Sequence, residues 1–349
     1  MKILIELYDH RYELWNYPEW ALAETRALAY DHEVISVASN EQLMEHLPDA
    51  EVFFGWQLTE DKFPLAKNLK WLHSASADIQ QQLYPAFIES DVTLTMSRGT
   101  RAATIAEHTL GMMLYFARQF NICVRNQMRA HWARGTAWDH FPNFQELTGS
   151  TLGILGLGRI GRELARRGKA LGMRVIATTL RDYNNKPDYV DHLGPPDDLP
   201  ILLEESDFLV CCIPETGDTE HIIGYDELQH MKKTAYFFNV GRGSAVNEDE
   251  LVEALMDHRL SGAGLDAFTR EPLPDDSYLW RLEGTLITPR ISGIGPHFWK
   301  RTHHGWINNL RHYLAGDPLE NVIDKEAWAK SARIERLREG PDDEVNIVE

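Results

Sequence analysis

Residues 151–161 join a short apolar run to three regularly spaced glycines. They read Thr151-Leu152-Gly153-Ile154-Leu155-Gly156-Leu157-Gly158-Arg159-Ile160-Gly161. The run before Gly156 is typical of a buried strand, and the apolar positions Ile160, Leu164 and Leu171 share one helix face. In a strand–turn–helix unit, such glycines let the backbone approach a diphosphate. We call residues 156–161 the glycine loop and predict a dinucleotide site there.

Each glycine has its own expected role in this site. Gly156 permits the tight turn, Gly158 lets the backbone approach the pyrophosphate, and Gly161 permits close packing of the helix on the strand. Arg159 and Ile160 begin the helix, whose free N–H groups point at the phosphates. The alternative, a glycine turn without a ligand, stays open.

The adenine-side ribose is expected to meet a residue about 20 positions further on. Thr179 and Arg181 stand there, and the only acid, Asp182, comes late. A hydroxyl with a guanidinium group suits a 2′-phosphate, which an early carboxylate would repel. The sequence therefore favours NADP(H) over NAD(H), unless Arg181 is only a solvated surface charge.

Short apolar runs alternate with helical patterns on both sides of the glycine loop. The strand candidates are Ile3–Leu7, Glu33–Val37, Val52–Trp56, Trp71–Ser74, Thr151–Leu155, Arg174–Thr178, Phe208–Ile213, Ala235–Val240, Gly262–Leu265 and Thr285–Thr288. This alternation predicts an α/β fold with parallel sheets covered by helices. Asn247, followed by Glu250, predicts a capped helix start. The residues from Thr104 to Phe120 predict a long helix, and residues 121–144 an arm or long loop at a possible subunit contact.

Composition excludes several classes of protein. A chain of 349 residues suggests two domains, and a formal net charge of −18 argues against a broad nucleic-acid surface. The longest apolar stretch, Thr109–Ala117, is too short to cross a bilayer, so no membrane span is expected. Cys211 and Cys212 lie in an apparent buried strand and imply no disulfide framework, which favours the cytoplasm. No histidine pattern supports a metal site.

Several further motifs occur in order between about Leu69 and Val322. They are Ala106-Glu107-His108, Ile213-Pro214-Glu215-Thr216-Gly217-Asp218-Thr219, Asn239-Val240-Gly241-Arg242-Gly243, Gly262-Ala263-Gly264-Leu265-Asp266 and Arg270-Glu271-Pro272-Leu273-Pro274. Together with the glycine loop they resemble the D-isomer-specific 2-hydroxyacid dehydrogenase family. Each motif alone is weak, but their conjunction is specific.

The resemblance implies reversible hydride transfer between a nicotinamide cofactor and a 2-oxo or D-2-hydroxy acid. It implies two doubly wound parallel-sheet domains, a Rossmann-type NAD(P)-binding domain (101–296) inserted into a flavodoxin-like substrate domain (1–100 plus 297–330). Residues 331–349 would form a charged tail. In this family the active site lies in the cleft between the domains. Members are usually homodimers through the cofactor domain.

The family's site residues carry over by position. Arg242 matches the arginine that binds the carboxylate and the ketone oxygen, and Glu271 the carboxylate that orients a catalytic histidine. The backbone at Ser76, Ala77 and Asp78 matches the loop that holds the substrate carboxylate, although Asp78 stands near a usual glycine. The positions expected to contact the cofactor, besides the glycine loop, Thr179 and Arg181, are Pro214, Thr219, Val240 and Asp266.

Arg290 occupies the position at which the family places its catalytic histidine, directly after Thr288-Pro289. A guanidinium group keeps its proton at any useful pH, so it cannot serve as the acid or base. Three alternatives follow. In the first, the chain is a slow reductase with Arg290 as electrophile and water or another group, such as His297, as proton source. In the second, it is a cofactor-binding sensor or interaction module without turnover. In the third, it is a reductase in which Arg290 enlarges a positive pocket for a doubly charged or phosphorylated acid.

Overall fold

The computed structural model describes residues 1–56, 58–77, 79–180 and 183–327. Asp78, Arg181 and the predicted tail 331–349 lie outside the described residues. The chain divides into two compact units: the first unit contains Met1–Thr100 and the chain from Pro296 onward, and the second unit contains Arg101–Gly295.

Strands and helices alternate along the described chain. The strands are β1 (Lys2–Glu6), β2 (Glu33–Ser36), β3 (Val52–Gly55), β4 (Trp71–Ser74), β5 (Thr93–Met96), β6 (Thr151–Leu155), β7 (Arg174–Thr178), β8 (His192–Gly194), β9 (Phe208–Cys211), β10 (Tyr236–Asn239), β11 (Gly262–Leu265) and β12 (Thr285–Ile287). The α-helices are α1 (Glu19–Leu28), α2 (Asn40–His46), α3 (Pro85–Ile88), α4 (Ala102–Ala117), α5 (Phe120–Met128), α6 (Arg134–Asp139), α7 (Arg159–Ala170), α8 (Leu199–Glu205), α9 (Tyr225–Gln229), α10 (Glu248–Met256) and α11 (Phe298–Ala315).

The first unit is built on a five-stranded parallel sheet in the order β2-β1-β3-β4-β5. This is the flavodoxin-like order. Successive side chains of a strand point to opposite faces, so the adjacent residues Phe53 and Phe54 belong to two different core clusters, one on each face. The second cluster includes Trp306 of α11, which stacks on Phe54 with ring centroids 4.3 Å apart. Both faces of the sheet are therefore covered.

The second unit is built on a seven-stranded parallel sheet in the order β12-β11-β10-β9-β6-β7-β8. Phe237 and Phe238 of β10 again belong to separate clusters on opposite faces. The chain winds from β6 outward through β7 and β8, then returns to β9 and winds the other way. Ligands of such sheets bind at this switch point, outside the carboxyl ends of the strands. The predicted class, two doubly wound parallel-sheet domains, is confirmed.

All ten predicted strands are present, with ends that differ by one or two residues at most. β5 and β8 were not predicted, because both strands are short and contain polar residues. The predicted helix start Asn247 is confirmed, because its side chain accepts a hydrogen bond from the Glu250 amide.

The prediction of an arm or long loop over residues 121–144 is corrected by the structure. The long helix ends at Ala117, Gln119 takes a left-handed φ of 53°, and two further helices follow, α5 and α6. Ile122 is the one buried residue of α5, and α6 has none. Helices that bury so little have no apolar period for a sequence to reveal.

In the part of the chain that the structure describes, no helix is both long and apolar enough to cross a bilayer. The same residues contain no group of three or more His, Cys, Asp and Glu side chains that could hold a metal ion.

Candidate active site

The glycine loop lies at the switch point of the second sheet, between the end of β6 and the start of α7. Gly156 has a φ of 100°, a left-handed conformation that a residue with a Cβ atom rarely adopts. A Cβ atom there would also come within 2.7 Å of Ile213 Cγ2 on the loop after β9. The tight turn predicted at Gly156 therefore has a steric basis in two neighbouring strands.

Gly158 and Gly161 differ in their surroundings. A Cβ atom at Gly161 would lie 2.4 Å from the Gly156 carbonyl oxygen and 3.0 Å from Ile154 Cγ2. At Gly158, the residue before α7, a Cβ atom would meet no heavy atom within 4 Å. Helix and strand thus touch at Gly161, while Gly158 borders open space at a helix N-terminus, where backbone N–H groups attract anions. Arg159 and Ile160 form the first turn of α7 beside that space.

The loop after β9 forms the facing wall of this crevice. The Cys212 thiol donates to the Gly156 carbonyl oxygen at 3.1 Å, and burial raises the pKa of this thiol. Thr219 Oγ1 donates to the Pro214 carbonyl oxygen at 2.9 Å and accepts from the Thr216 amide at 2.8 Å. Pro214 and Thr219, both predicted to contact the cofactor, therefore close one loop on itself. Val240, buried at the end of β10, donates its amide to the Cys211 carbonyl oxygen.

The predicted ribose-binding position is partly described. Thr179 follows β7, is half-buried, and donates its amide to the Gly194 carbonyl oxygen at the end of β8. This places Thr179 at the carboxyl edge of the sheet, one strand away from the glycine loop.

Asp266, which is predicted to contact the cofactor, accepts hydrogen bonds from a loop that follows β12. Its Oδ1 atom accepts hydrogen bonds from Thr288 Oγ1 at 2.7 Å, the Ile291 amide at 2.9 Å and the Ser292 amide at 3.2 Å. Its Oδ2 atom accepts from the Ser292 amide at 3.1 Å. Asp266 is 3% exposed, and its hydrogen bonds fix residues 288–292. We call these residues the arginine loop because Arg290 stands at their centre. Cofactor contact by Asp266 stays a prediction.

Arg290 is held in a left-handed conformation with a φ of 56°. Its Nη1 atom donates to the Gly241 carbonyl oxygen at 3.4 Å and lies 3.5 Å from Glu271 Oε1. Glu271 also accepts from the Phe268 amide at 3.1 Å. The structure therefore pairs Glu271 with Arg290, with both side chains partly exposed at 37% and 43%.

Arg242 shares an acceptor with Arg290. Its Nη1 atom donates to the same Gly241 carbonyl oxygen at 3.2 Å. Gly241 follows β10, and a Cβ atom there would lie 2.8 Å from the Ile213 carbonyl oxygen, so this corner of the backbone is tightly packed. The predicted residues Arg242, Glu271 and Arg290 thus form one cluster at the carboxyl edge of the second sheet.

Two residues beside the arginine loop were missed by the prediction of site residues. The side chain of Arg101 packs against Gly293, where a Cβ atom would lie 2.9 Å from Arg101 Cδ. Burial and the charge of Arg290 lower the pKa of Arg101. His108 Nε2 lies 3.0 Å from Thr288 Oγ1, so it supports the loop from α4. The His108 motif was visible in the sequence, but no local signal pointed to Arg101.

In the first unit, Ser76 and Ala77 follow β4 at the carboxyl edge of the five-stranded sheet. The Ser76 amide donates to Ser74 Oγ at 3.2 Å, so it is engaged within its own turn. At the same edge Glu6 accepts from the Trp56 amide at 3.3 Å, and burial raises the pKa of Glu6 to about 7. His297 lies exposed, directly before α11. The roles predicted for Ser76 and Ala77 stay predictions.

Comparisons with known proteins show which family this chain belongs to. The sequence profile of the D-isomer specific 2-hydroxyacid dehydrogenase NAD-binding domain matches residues 110–292. A glyoxylate/hydroxypyruvate reductase B from Pectobacterium atrosepticum is 32% identical over 272 residues, which cover 77% of this chain and 83% of that protein. A D-3-phosphoglycerate dehydrogenase from Methanocaldococcus jannaschii is 31% identical over 297 residues, 84% of this chain but 55% of that protein. The chain thus spans about half the length of this second relative.

The solved structures agree as well. A D-isomer specific 2-hydroxyacid dehydrogenase family protein from Aeromonas salmonicida superposes with a TM-score of 0.78 at 28% identity, over 93% of this chain and 99% of that one. The predicted resemblance is confirmed: the chain belongs to the D-isomer specific 2-hydroxyacid dehydrogenase family, NAD(P)-dependent oxidoreductases that interconvert 2-oxo acids and 2-hydroxy acids.

Proposed function

We propose that this chain reduces a small 2-oxo acid to the D-2-hydroxy acid, with Arg242 binding both the carboxylate and the ketone oxygen. One observation carries the proposal: Arg242 and Arg290 converge on the Gly241 carbonyl oxygen, at the sheet edge that also holds the glycine loop. A guanidinium fork matches a carboxylate and stabilises the negative charge that develops on a ketone oxygen.

The residues at the switch point fit a nicotinamide dinucleotide. The open space at Gly158, the N-terminus of α7 and the closed loop from Pro214 to Thr219 would hold its diphosphate and ribose groups. When bound, this cofactor supplies or accepts the hydride. The protein's part is to orient the 2-oxo acid and to stabilise its charge.

Arg290 changes how protons are supplied. It can polarise the ketone, and its pairing with Glu271 fixes its position, but it cannot exchange a proton at working pH. Loss of general acid–base catalysis costs about 10²- to 10⁴-fold in rate, so we expect slow turnover with water as proton source. The second candidate function, a cofactor-binding module without turnover, is favoured by the same Arg290–Glu271 pair.

The cofactor preferred by this chain is proposed to be NADP(H). The support is the position of Thr179 at the carboxyl edge of β7, together with Arg181 two residues later in the sequence. A hydroxyl and a guanidinium group both donate hydrogen bonds to a phosphate.

The chain is further proposed to form a homodimer through the residues around α5 and α6. Met128 and Trp132 are 85% and 86% exposed there, and Trp138 and Phe141 are exposed as well. Large apolar side chains that protrude together are typical of a protein contact surface. Light scattering should give twice the chain mass, and Trp132→Asp should give a monomer.

The test of the proposed function is an absorbance assay of the purified chain with NADPH or NADH and a panel of 2-oxo acids. Glyoxylate and hydroxypyruvate belong on the panel, since a relative is named for them. Oxidation of NADPH that depends on a 2-oxo acid supports the proposal. Tight NADPH binding with no oxidation above background on the whole panel would instead support the module without turnover.

A further inference from the structure

We propose that the second unit has a further binding site, at the edge of its sheet opposite the candidate active site, for a small organic anion with an apolar body. The site is a cavity of about 570 Å³ between α5, the amino ends of β10 and β11, and the chain that leads into β12. This volume is in the usual range of small-molecule sites. We call it the amino-edge cavity, and its described lining residues all belong to the second unit.

The amino-edge cavity and the candidate active site lie at opposite ends of the same three strands. Tyr236 lines the cavity and begins β10, whose far end leads to Arg242. Ser261 and Gly284 line it directly before β11 and β12, which lead to Asp266 and to the arginine loop. Parallel strands of three or four residues span about 10–13 Å. A ligand in this cavity would therefore not overlap with a substrate held by Arg242.

The charges that line the cavity differ from the acidic balance of the whole chain, which is −18. The basic side chains among the described lining residues are Arg125, His140, Lys233, His258 and Arg281. The one carboxylate among these lining residues, Glu283, pairs with Arg125 at 2.9 Å. Asp257 follows in sequence on a lining residue but does not itself line the cavity, and it accepts a hydrogen bond from a tyrosine hydroxyl. Positive charge is thus in excess over negative charge in this lining, which favours an anion.

Apolar side chains contribute the other part of the lining. Four of them are at most 7% exposed: Phe116, Ile122, Leu255 and Leu260. Lys233 and Arg281 are exposed, so the lining is apolar toward the interior of the unit and cationic toward the solvent. A ligand that fits both parts has an apolar body and a negative group at one end.

Hydrogen bonds fix the two segments that carry the exposed cations. Ser261 Oγ donates to the Lys233 carbonyl oxygen at 3.0 Å, which ties Lys233 to the start of β11. The Arg281 amide donates to the Tyr278 carbonyl oxygen at 2.9 Å. The backbone of the site is therefore in place before a ligand arrives, and less conformational entropy is lost on binding.

The experiment uses a fluorescent anion, 8-anilinonaphthalene-1-sulfonate, and its uncharged counterpart, N-phenyl-1-naphthylamine, on the full chain. Excess NADP⁺ and NAD⁺, which do not fluoresce, keep both probes from the cofactor site. We expect the sulfonate probe to saturate one site per chain. 4-Phenylbutyrate should displace it, whereas acetate, which has the charge but no apolar body, should not displace it at the same concentration.

A double variant tests the assignment to residues. Lys233→Met together with Arg281→Met removes two charges and keeps the aliphatic stems, and both side chains are exposed, so the fold should persist. Affinity for the sulfonate probe should fall about tenfold, while affinity for the uncharged amine should change less than about twofold. Lys67→Met, at an exposed lysine of the first unit, is the matched control and should change neither affinity. Thermal unfolding shows whether each variant is folded.

Two results would overturn the inference. One is equal affinity for the sulfonate probe in the wild type and the double variant, or no saturable binding in the wild type. The other is binding that appears only in Trp132→Asp, the variant expected to be monomeric, because a second copy of the chain would then cover the cavity. No step of this test requires turnover, so its result is independent of the proposed function.

Discussion

The glycine loop and the arginine loop lie at the carboxyl edge of one sheet, but they are specified in different ways. In the glycine loop most constraints are local, since Gly156 has a positive φ and a Cβ atom at Gly161 would meet the carbonyl oxygen five residues earlier, although Ile213 also crowds Gly156. In the arginine loop, Arg290 adopts a positive φ without being glycine, and Asp266, more than twenty residues earlier, holds it there. Such a conformation costs of order 1 kcal/mol and persists only where surrounding contacts fix it. The conformation of the glycine loop is thus specified mainly by residues near it in sequence, and that of the arginine loop by residues distant in sequence.

The largest effect is expected from Arg290→His, which would make the arginine loop conform to the family pattern. An imidazole beside Glu271 can exchange a proton, so kcat on small 2-oxo acids should rise about 100-fold, equivalent to ~2.7 kcal/mol of barrier. Steady-state kinetics at saturating NADPH measures the change.

The matched control is Arg290→Gln, which removes the charge without supplying an acid or base. It should be no faster than wild type. If Arg290→His binds NADPH normally and is also no faster, then Arg290 does not stand at the position of the catalytic group. The arginine loop would then not be the part of the site that determines the reaction chemistry.

Gly161→Ala tests whether close packing of the helix on the strand specifies the glycine loop. The added Cβ atom would lie 2.4 Å from the Gly156 carbonyl oxygen, so the helix must move from the strand. Overpacking costs about 1–3 kcal/mol, which alanine's better helix propensity of ~1 kcal/mol offsets only in part. Urea unfolding should show a net loss of up to about 2 kcal/mol, and a variant more stable than wild type would mean that this contact is not tight.

Gly158→Ala is the companion variant in the same loop, with the opposite expectation. Its Cβ atom would enter open space, and the φ of −78° is available to alanine. The free energy of unfolding should therefore change by less than ~1 kcal/mol, the usual scale of a helix N-cap substitution. Affinity for NADPH should fall about tenfold, ~1.4 kcal/mol, because the methyl group occupies space at the phosphate-binding turn. Unchanged affinity in fluorescence titration would place the diphosphate elsewhere.

The same difference between local and distant contacts explains which parts of the fold could be predicted from the sequence. Strands such as β6 and β9 were predicted because burial on both faces leaves an uninterrupted apolar run. β8 was missed because three residues at the edge of a sheet carry too little pattern. Helices α5 and α6 were missed because burial, the origin of an apolar period, is nearly absent there.

The residues of the candidate site also differ in how well the sequence predicts them. The positive φ of Gly156 and the contact between Gly161 and the Gly156 carbonyl oxygen arise within one turn, so a short motif is enough to predict them. Arg101 reaches the cluster through its packing on Gly293, almost two hundred residues later, and Asp266 holds the arginine loop through amides that any sequence supplies. Contacts between residues so far apart in the sequence produce no local pattern from which they could be predicted.

Thr179→Asp is expected to give the smallest effect. It tests a third position at the carboxyl edge of the same sheet, beside the glycine loop and the arginine loop. Thr179 follows β7, next to the strand that leads into the glycine loop. A carboxylate there would accept hydrogen bonds from ribose hydroxyls and repel a 2′-phosphate. An exposed charge contact is worth up to ~1 kcal/mol, so the ratio of kcat/KM for NADPH to that for NADH should fall about fivefold. Thr179→Ser, which keeps the hydroxyl, should leave the ratio near its wild-type value. A ratio equal in all three proteins would mean that Thr179 does not contact the ribose, and that cofactor choice is made elsewhere on this edge.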